Sequence, residues 1–218
     1  MTTKILTVGD SFTYGEELAN RETQAWPYVL SNMLGATVVN KAQGGASNDY
    51  IFRTAIEQTV QVNYDLVIVQ WSEPSRMEVW HVDRPLSVTA HSNWNKIGQL
   101  SWMQDYYKYS YNDLFRYRTW YSHVIALQEY FKSKQQKFLF CNLAGLQGYY
   151  KDVDGYYDEL KHLWDSVDTQ YYVGWPTDGF LEFQGDCERG PGGHPLELGH
   201  KRIANKFYEH IRNLSWLS

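Results

Sequence analysis

The sequence is poor in cysteine: Cys141 and Cys187 are the two in 218 residues, and neither lies in a Cys-x-x-Cys spacing. That excludes a disulfide scaffold and a cysteine-rich zinc site. The pair reads as incidental buried thiols, although sequence alone leaves one disulfide between them open. No apolar run approaches the roughly 20 residues that would span a bilayer. The opening Met-Thr-Thr-Lys runs straight into apolar Ile5 to Val8, without the basic segment and long apolar stretch of a secretory signal. The expectation is therefore a cytoplasmic protein without a membrane partner. Positive charge is also scarce. Lys and Arg number 20 against 25 Asp and Glu, a net charge of -5, so there is no basic footprint for nucleic acid. Neither a Gly-x-x-x-x-Gly-Lys-Ser/Thr loop nor a Gly-x-Gly-x-x-Gly fingerprint after the first strand is present. The seven His are scattered, with no His-Glu-x-x-His and no Cys/His cluster. Neither a cofactor nor a catalytic metal is expected.

What is present is an alternation of strands and helices. Ile5 to Val8, Thr37 to Asn40, Leu66 to Val69, Phe138 to Cys141 and Tyr171 to Val173 read as five short strands. Helices are expected at about 25–34, 48–60, 115–131, 158–164 and 196–212. Pro27 falls in a first turn, Gly35 closes a C-terminus, and Asn48 or Asp49 is the expected cap of the second helix. Strands apolar on both faces and separated by helices predict a parallel sheet covered on both sides, a three-layer α/β/α sandwich. With no repeat and no linker, residues 1–218 read as one domain. The regular alternation lapses from about Ser72. The stretch at about 72–120 carries Trp80, Trp94, Trp102, Tyr106, Tyr107, Tyr109 and Phe115 and reads as an aromatic-rich insertion.

Ligands bind at the carboxyl ends of strands in such sheets. The first strand ends in Gly9-Asp10-Ser11-Phe12-Thr13-Tyr14-Gly15, which puts a hydroxyl on a tight turn beside backbone N–H groups, as a serine nucleophile requires. By itself the tripeptide fits a simple capped turn equally well. The second strand ends in Asn40, followed by Gly44, Gly45 and Ser47. The last helix is preceded by Gly190-Pro191-Gly192-Gly193-His194-Pro195. Taken together and in this order, these blocks resemble those of the SGNH/GDSL serine hydrolases. The style of the first two also resembles SGNH-like proteins carried by tailed phages, which would allow a virion-associated location.

The resemblance implies a flavodoxin-like five-stranded parallel sheet with strand order 2-1-3-4-5. It implies Ser11 as nucleophile, His194 as general base, and an oxyanion hole built from the N–H groups of Ser11 and Gly45. Two departures stand out. The third block, normally Gly-x-Asn-Asp, reads Gln70-Trp71-Ser72-Glu73, so Ser72 takes the place of an oxyanion-binding Asn. The acid three residues before the His is replaced by Pro191. Asp186 is the candidate acid, with Glu188 and Asp178 nearby and a Ser–His dyad as the alternative. His200 reads as structural, and Arg76 with Glu73 and Glu78 as a surface charge cluster, with Arg76 pointing into the site toward an anionic substrate as the secondary option.

The expected activity is hydrolysis of a small acyl ester through an acyl-enzyme, such as an O-acetyl group on a carbohydrate. The aromatic insertion would stack on sugar rings, form a cap with its own small core, or make an oligomer contact. Two alternatives are carried. One is a fold that has lost catalysis and serves as a carbohydrate-binding or virion-structural module. The other is a thioesterase or lysophospholipase.

Overall fold

The computed structural model describes residues 2–81, 84–88, 102–146 and 156–216. Trp94, part of the expected aromatic insertion, lies outside them. Four strands form the central sheet: β1 (Lys4–Val8), β2 (Thr37–Asn40), β3 (Leu66–Trp71) and β6 (Phe138–Asn142). Their order is β2-β1-β3-β6 and every pairing is parallel. β3 and β6 are buried along their whole length, which explains their unbroken apolar sequence.

Side-chain alternation along the strands splits the core into two layers. Leu6, Val8, Val67, Val69, Trp71, Phe138 and Phe140 face one side. There they meet Ile51 and Ala55 of α4 (Asn48–Gln61) and Tyr121, Val124 and Leu127 of α6 (Asp113–Ser133). Ile5, Leu66, Ile68, Leu139 and Cys141 face the other. They meet Trp26 and Leu30 of α3 (Trp26–Leu34) and Ile203, Phe207 and Ile211 of α9 (Glu197–Asn213). The shorter helices are α1 (Ser11–Tyr14), α2 (Arg21–Gln24), α5 (Trp102–Tyr109), α7 (Tyr156–Trp164) and α8 (Phe180–Gln184). The architecture is thus α/β/α with a parallel sheet. Both cysteines are buried free thiols, and no helix among the described residues is long and apolar enough to cross a membrane.

Three expectations change. The fifth strand is reduced to a single parallel bridge between Tyr172 and Phe140, preceded by a 3-10 turn at Thr169–Tyr171. Three residues are too few to hold a ladder once the chain turns away at Gly174, whose φ is +89°. The cap of α4 is Ser47, whose hydroxyl accepts from the Tyr50 N–H. Asn48 is thereby freed for other contacts. The irregular stretch after Ser72 contains an antiparallel hairpin of β4 (Met77–His81) and β5 (Arg84–Val88). With α5 it encloses a small cluster of Val79, Val88 and Met103.

His200 is structural, as its place in the sequence suggests. It is fully buried, and its Nδ1 accepts from the Trp26 N–H at 3.2 Å, tying α9 to the start of α3. Burial, with a smaller contribution from the charge on His194, lowers its pKa from 6.5 to about 4. Below pH 6.5 the unfolded chain takes up a proton that the folded chain refuses, so stability falls as pH drops toward 4 by on the order of 3 kcal/mol from this group. His200→Asn keeps an acceptor and removes the titration. Urea unfolding at pH 7 and pH 4.5 is expected to show a smaller loss of stability for H200N than for the wild type.

Candidate active site

The site begins where β1 ends. Asp10 caps α1, its Oδ1 accepting from the Phe12 N–H at 3.0 Å. The turn closes at Gly15, with φ +84°. Ser11 therefore sits at the first position of a one-turn helix at the carboxyl edge of the sheet, 5% exposed. A buried carboxamide braces this turn. Gln70 Oε1 accepts from both the Asp10 N–H and the Thr13 hydroxyl, each at 3.0 Å. Gly9 is required at that point, because a Cβ there would lie 2.5 Å from Thr13 Oγ1 and 2.6 Å from Gln70 Oε1. Asn40, at the end of β2, donates to the Thr13 carbonyl at 2.9 Å, so both neighbouring strands hold the serine turn.

Gly45 follows on the next loop with φ +72°, and open space lies where a Cβ would project. The backbone here favours glycine for its conformation and leaves room for another molecule to approach. Ser47 N–H donates to Ser87 Oγ at 3.0 Å, which docks the β4–β5 hairpin beside this loop.

His194 comes from the glycine-rich segment before α9. Its ring packs against Phe12, the residue after Ser11, with centroids 5.4 Å apart. The group at His194 Nδ1 is Glu17, whose Oε2 is 2.9 Å away. The same carboxylate accepts from the Gly192 N–H at 2.6 Å and the His194 N–H at 3.1 Å. These contacts, led by the Gly192 hydrogen bond, lower the Glu17 pKa below its ordinary 4.5. Glu17 itself has φ +65°, a left-handed conformation that a non-glycine residue adopts at some cost and that is over-represented at functional sites.

The acid expected from sequence stands elsewhere. Asp186 Oδ1 accepts from Arg202 Nη1 at 2.9 Å, and its side chain is 95% exposed. The glycines after it do not fold the chain back for Asp186. They make room for Glu17, because a Cβ at Gly190 would lie 2.6 Å from the Glu17 carboxyl carbon. Ser72 lies beside the serine turn, yet its hydroxyl donates to Asp10 Oδ2 at 2.8 Å and its N–H to Asn48 Oδ1 at 2.8 Å. The donor is therefore engaged within the fold. Arg76, half-buried, faces Asp10 and not Glu78. Its Nη1 is 3.6 Å from Asp10 Oδ2, while Glu78 pairs with Arg53 at 2.8 Å.

Two cavities flank the 18–20 loop. One of about 480 Å³ is lined by Tyr14, Arg21, Tyr28 and Asn40. The other, of about 440 Å³, is lined by Glu17, Leu18, Leu196 and Leu198. Both lie beside the Ser11 turn and not over it. Among the described residues, no group of three or more His, Cys, Asp or Glu is placed to hold a metal ion.

This architecture is the fold of the GDSL/SGNH hydrolases. A lipolytic protein of the G-D-S-L family from Desulfitobacterium hafniense DCB-2 superposes with a TM-score of 0.54 at 17% identity, covering 96% of this chain and 99% of that one. The psychrotrophic esterase EstA from Pseudoalteromonas gives 0.57 at 12% identity, covering 98% of each chain. A family two carbohydrate esterase from Clostridium thermocellum, solved with cellohexaose, gives 0.54 at 15% identity. It covers 99% of this chain and 65% of the longer one. By sequence the chain belongs to a family of unknown function, DUF6071, whose model matches residues 12–169. No curated protein matches the sequence.

The Glu17 cradle yields a direct check. Gly190→Ala places a methyl where the carboxylate sits. In an NMR titration of Glu17, the wild type is expected to titrate below 4.5 and G190A close to the ordinary carboxylate value. Since the folded value is the lowered one, the stability contributed by the clamp is present above pH 4.5 and lost as pH falls through the folded value. G190A lacks that component of the acid loss.

Proposed function

We propose that the protein is a serine ester hydrolase in which Ser11, His194 and Glu17 act as a triad. The observation that carries this reading is the Glu17 carboxylate at 2.9 Å from His194 Nδ1, on a histidine whose ring packs against Phe12, the residue after Ser11. A carboxylate at Nδ1 holds the proton on that nitrogen. It leaves Nε2 as the base and stabilises the imidazolium that forms.

The reaction is two-step acyl transfer. His194 Nε2 takes the Ser11 proton as Oγ bonds to the ester carbonyl carbon. The negative charge on the former carbonyl oxygen is held by the N–H groups of Ser11 and Gly45. The bond to the alcohol oxygen then breaks, and Nε2 returns its proton to the leaving alcohol. Water attacks the acyl-enzyme by the same route, releasing the carboxylic acid and restoring Ser11. No cofactor enters any step.

A small acyl group on a carbohydrate is the substrate class we favour. Trp80 is 72% exposed, Trp102 49% and Tyr109 71%, on the hairpin that follows the Ser72 loop and the helix packed against that hairpin. Exposed aromatic faces suit the C–H faces of sugar rings. The likeness to a carbohydrate esterase solved with a cello-oligosaccharide supports the same class. The competing reading, a carbohydrate-binding module without catalysis, draws on Ser72, whose hydroxyl is already given to Asp10.

Hydrolysis of a short-chain aryl acetate separates the two. Ser11→Ala is expected to abolish turnover and labelling by a fluorophosphonate. Equal rates for S11A and wild type would leave a binding module. Glu17→Gln is expected to lower kcat by about 10²–10³, less than the roughly 10⁴ seen for a fully buried triad acid because water reaches this carboxylate. Asp186→Asn is expected to keep wild-type turnover. For the substrate class, Trp80→Ala is expected to raise KM several-fold on acetylated oligosaccharides while leaving the aryl acetate unaffected.

A further inference from the structure

We propose that Arg76 is the cationic member of the oxyanion site, a half-buried guanidinium whose charge serves the transition state. This rests on the hydrolase reading above. Three observations carry it. The first is a shortage of donors. With the Ser72 hydroxyl bound to Asp10 Oδ2, the side-chain contribution to an oxyanion hole is missing, and two backbone N–H groups remain.

The second is an excess of donors one step away. Arg76 Nε and Nη1 are buried without a hydrogen-bond partner. The nearest carboxylate oxygen, Asp10 Oδ2, is 3.6 Å from Nη1 and already accepts the Ser72 hydroxyl. Its companion Oδ1 accepts the Phe12 N–H. Buried N–H groups of a charged side chain are rarely left idle, and one that stays so asks for an explanation. A negative charge that exists only while the tetrahedral intermediate lasts would supply it.

The third is rigidity. The loop that carries Arg76 is pinned from two helices. Asn48 Nδ2 donates to the carbonyls of Ser72 and Glu73 at 3.1 and 3.3 Å. Arg116 Nη2 donates to the Arg76 carbonyl at 2.7 Å. A charge held by such a frame needs no reorganisation when the oxyanion forms, which is the condition for electrostatic stabilisation to be large. In this account Arg76 acts on the oxyanion by its charge and its idle N–H groups, and not through the Asp10 carboxylate.

The ordinary alternative is that Arg76 merely neutralises the buried Asp10 carboxylate. The two roles separate in a double-mutant cycle that measures the cost of Arg76→Met in the wild-type and D10N backgrounds. The readouts are kcat and KM on an aryl acetate, the fluorophosphonate labelling rate at Ser11, and the thermal midpoint. If the charge serves the oxyanion, R76M lowers kcat and labelling by about 10²-fold with KM within about threefold. The same loss then persists on adding R76M to D10N, even where the midpoint recovers, and Arg76→Lys restores most of the rate. If adding R76M to D10N costs less than about threefold in rate, Arg76 is a counter-ion for Asp10 and the proposal is overturned. A wild type that shows no labelling at Ser11 overturns the hydrolase reading, and this role with it.

Discussion

The carboxylate of Glu17 joins segments 177 residues apart, and the arrangement of the site depends on that closure. The serine turn is built locally, from the end of β1 and the strands beside it. The histidine is built locally too, on the loop that starts α9. Besides the Phe12–His194 ring contact, the distance between them is set by Glu17. Glu17 takes two backbone N–H groups and one ring nitrogen of the 190–194 loop. It stands six residues after Ser11, so the chain that presents the proposed nucleophile also presents the clamp. The left-handed backbone at Glu17 is the conformational cost of turning the side chain back within so short a span, and the three contacts offset it.

The sheet supplies the platform on which this closure acts. Its parity rule sends alternate residues of β1, β3 and β6 into two separate cores, so the carboxyl ends of the strands stay in register. At that edge the polar side chains of Gln70, Asn40 and Asn48 replace apolar packing. Each is directed at backbone groups of the 9–13 or 72–73 segments. Buried amides that meet specific backbone partners restrict a loop to one conformation more sharply than apolar contact does. That is why the irregular segments here hold their positions.

Much of this was legible in the sequence, and what was not has physical reasons. The strand runs, Pro27 at the start of α3 and the apolar stripe of Ile203, Phe207 and Ile211 are periodic signals that survive folding unchanged. The loop positions of Ser11, Gly45 and His194 beside the sheet edge were legible because turn chemistry marks them, and the roles given to them rest on the proposal above. Glu17 was not, because a glutamate in a polar turn carries no local mark of its partner. The usable signal was indirect: glycines at 190 and 192, just before the His, leave space that a carboxylate from another segment fills. Asp186 drew attention by nearness in sequence, yet Arg202 lies one loop away and takes it. Arg76 read as surface because charged neighbours flank it, and its burial follows from the Asn48 and Arg116 contacts that fold the loop inward. The fifth strand failed on length, since Tyr171-Tyr172-Val173 is too short to compete with the turn that follows.

Asp10 shows how far the electrostatics of the site are shared with its architecture. It is fully buried and would be costly as an isolated charge. The fold meets that cost with a helix N–H, a hydroxyl and a nearby guanidinium. Each of the three belongs to a different piece of the edge: α1, the end of β3 and the loop before β4. The carboxylate therefore orders all of them at once, and any group that touches it is coupled to the serine turn. A substitution at Ser72 would then be felt at Ser11 through Asp10, without any direct contact. The loss of a familiar side-chain donor after the third strand is in this sense a redistribution. The Ser72 hydroxyl is a structural bond to Asp10, and the Arg76 guanidinium four residues along the same loop faces the same carboxylate.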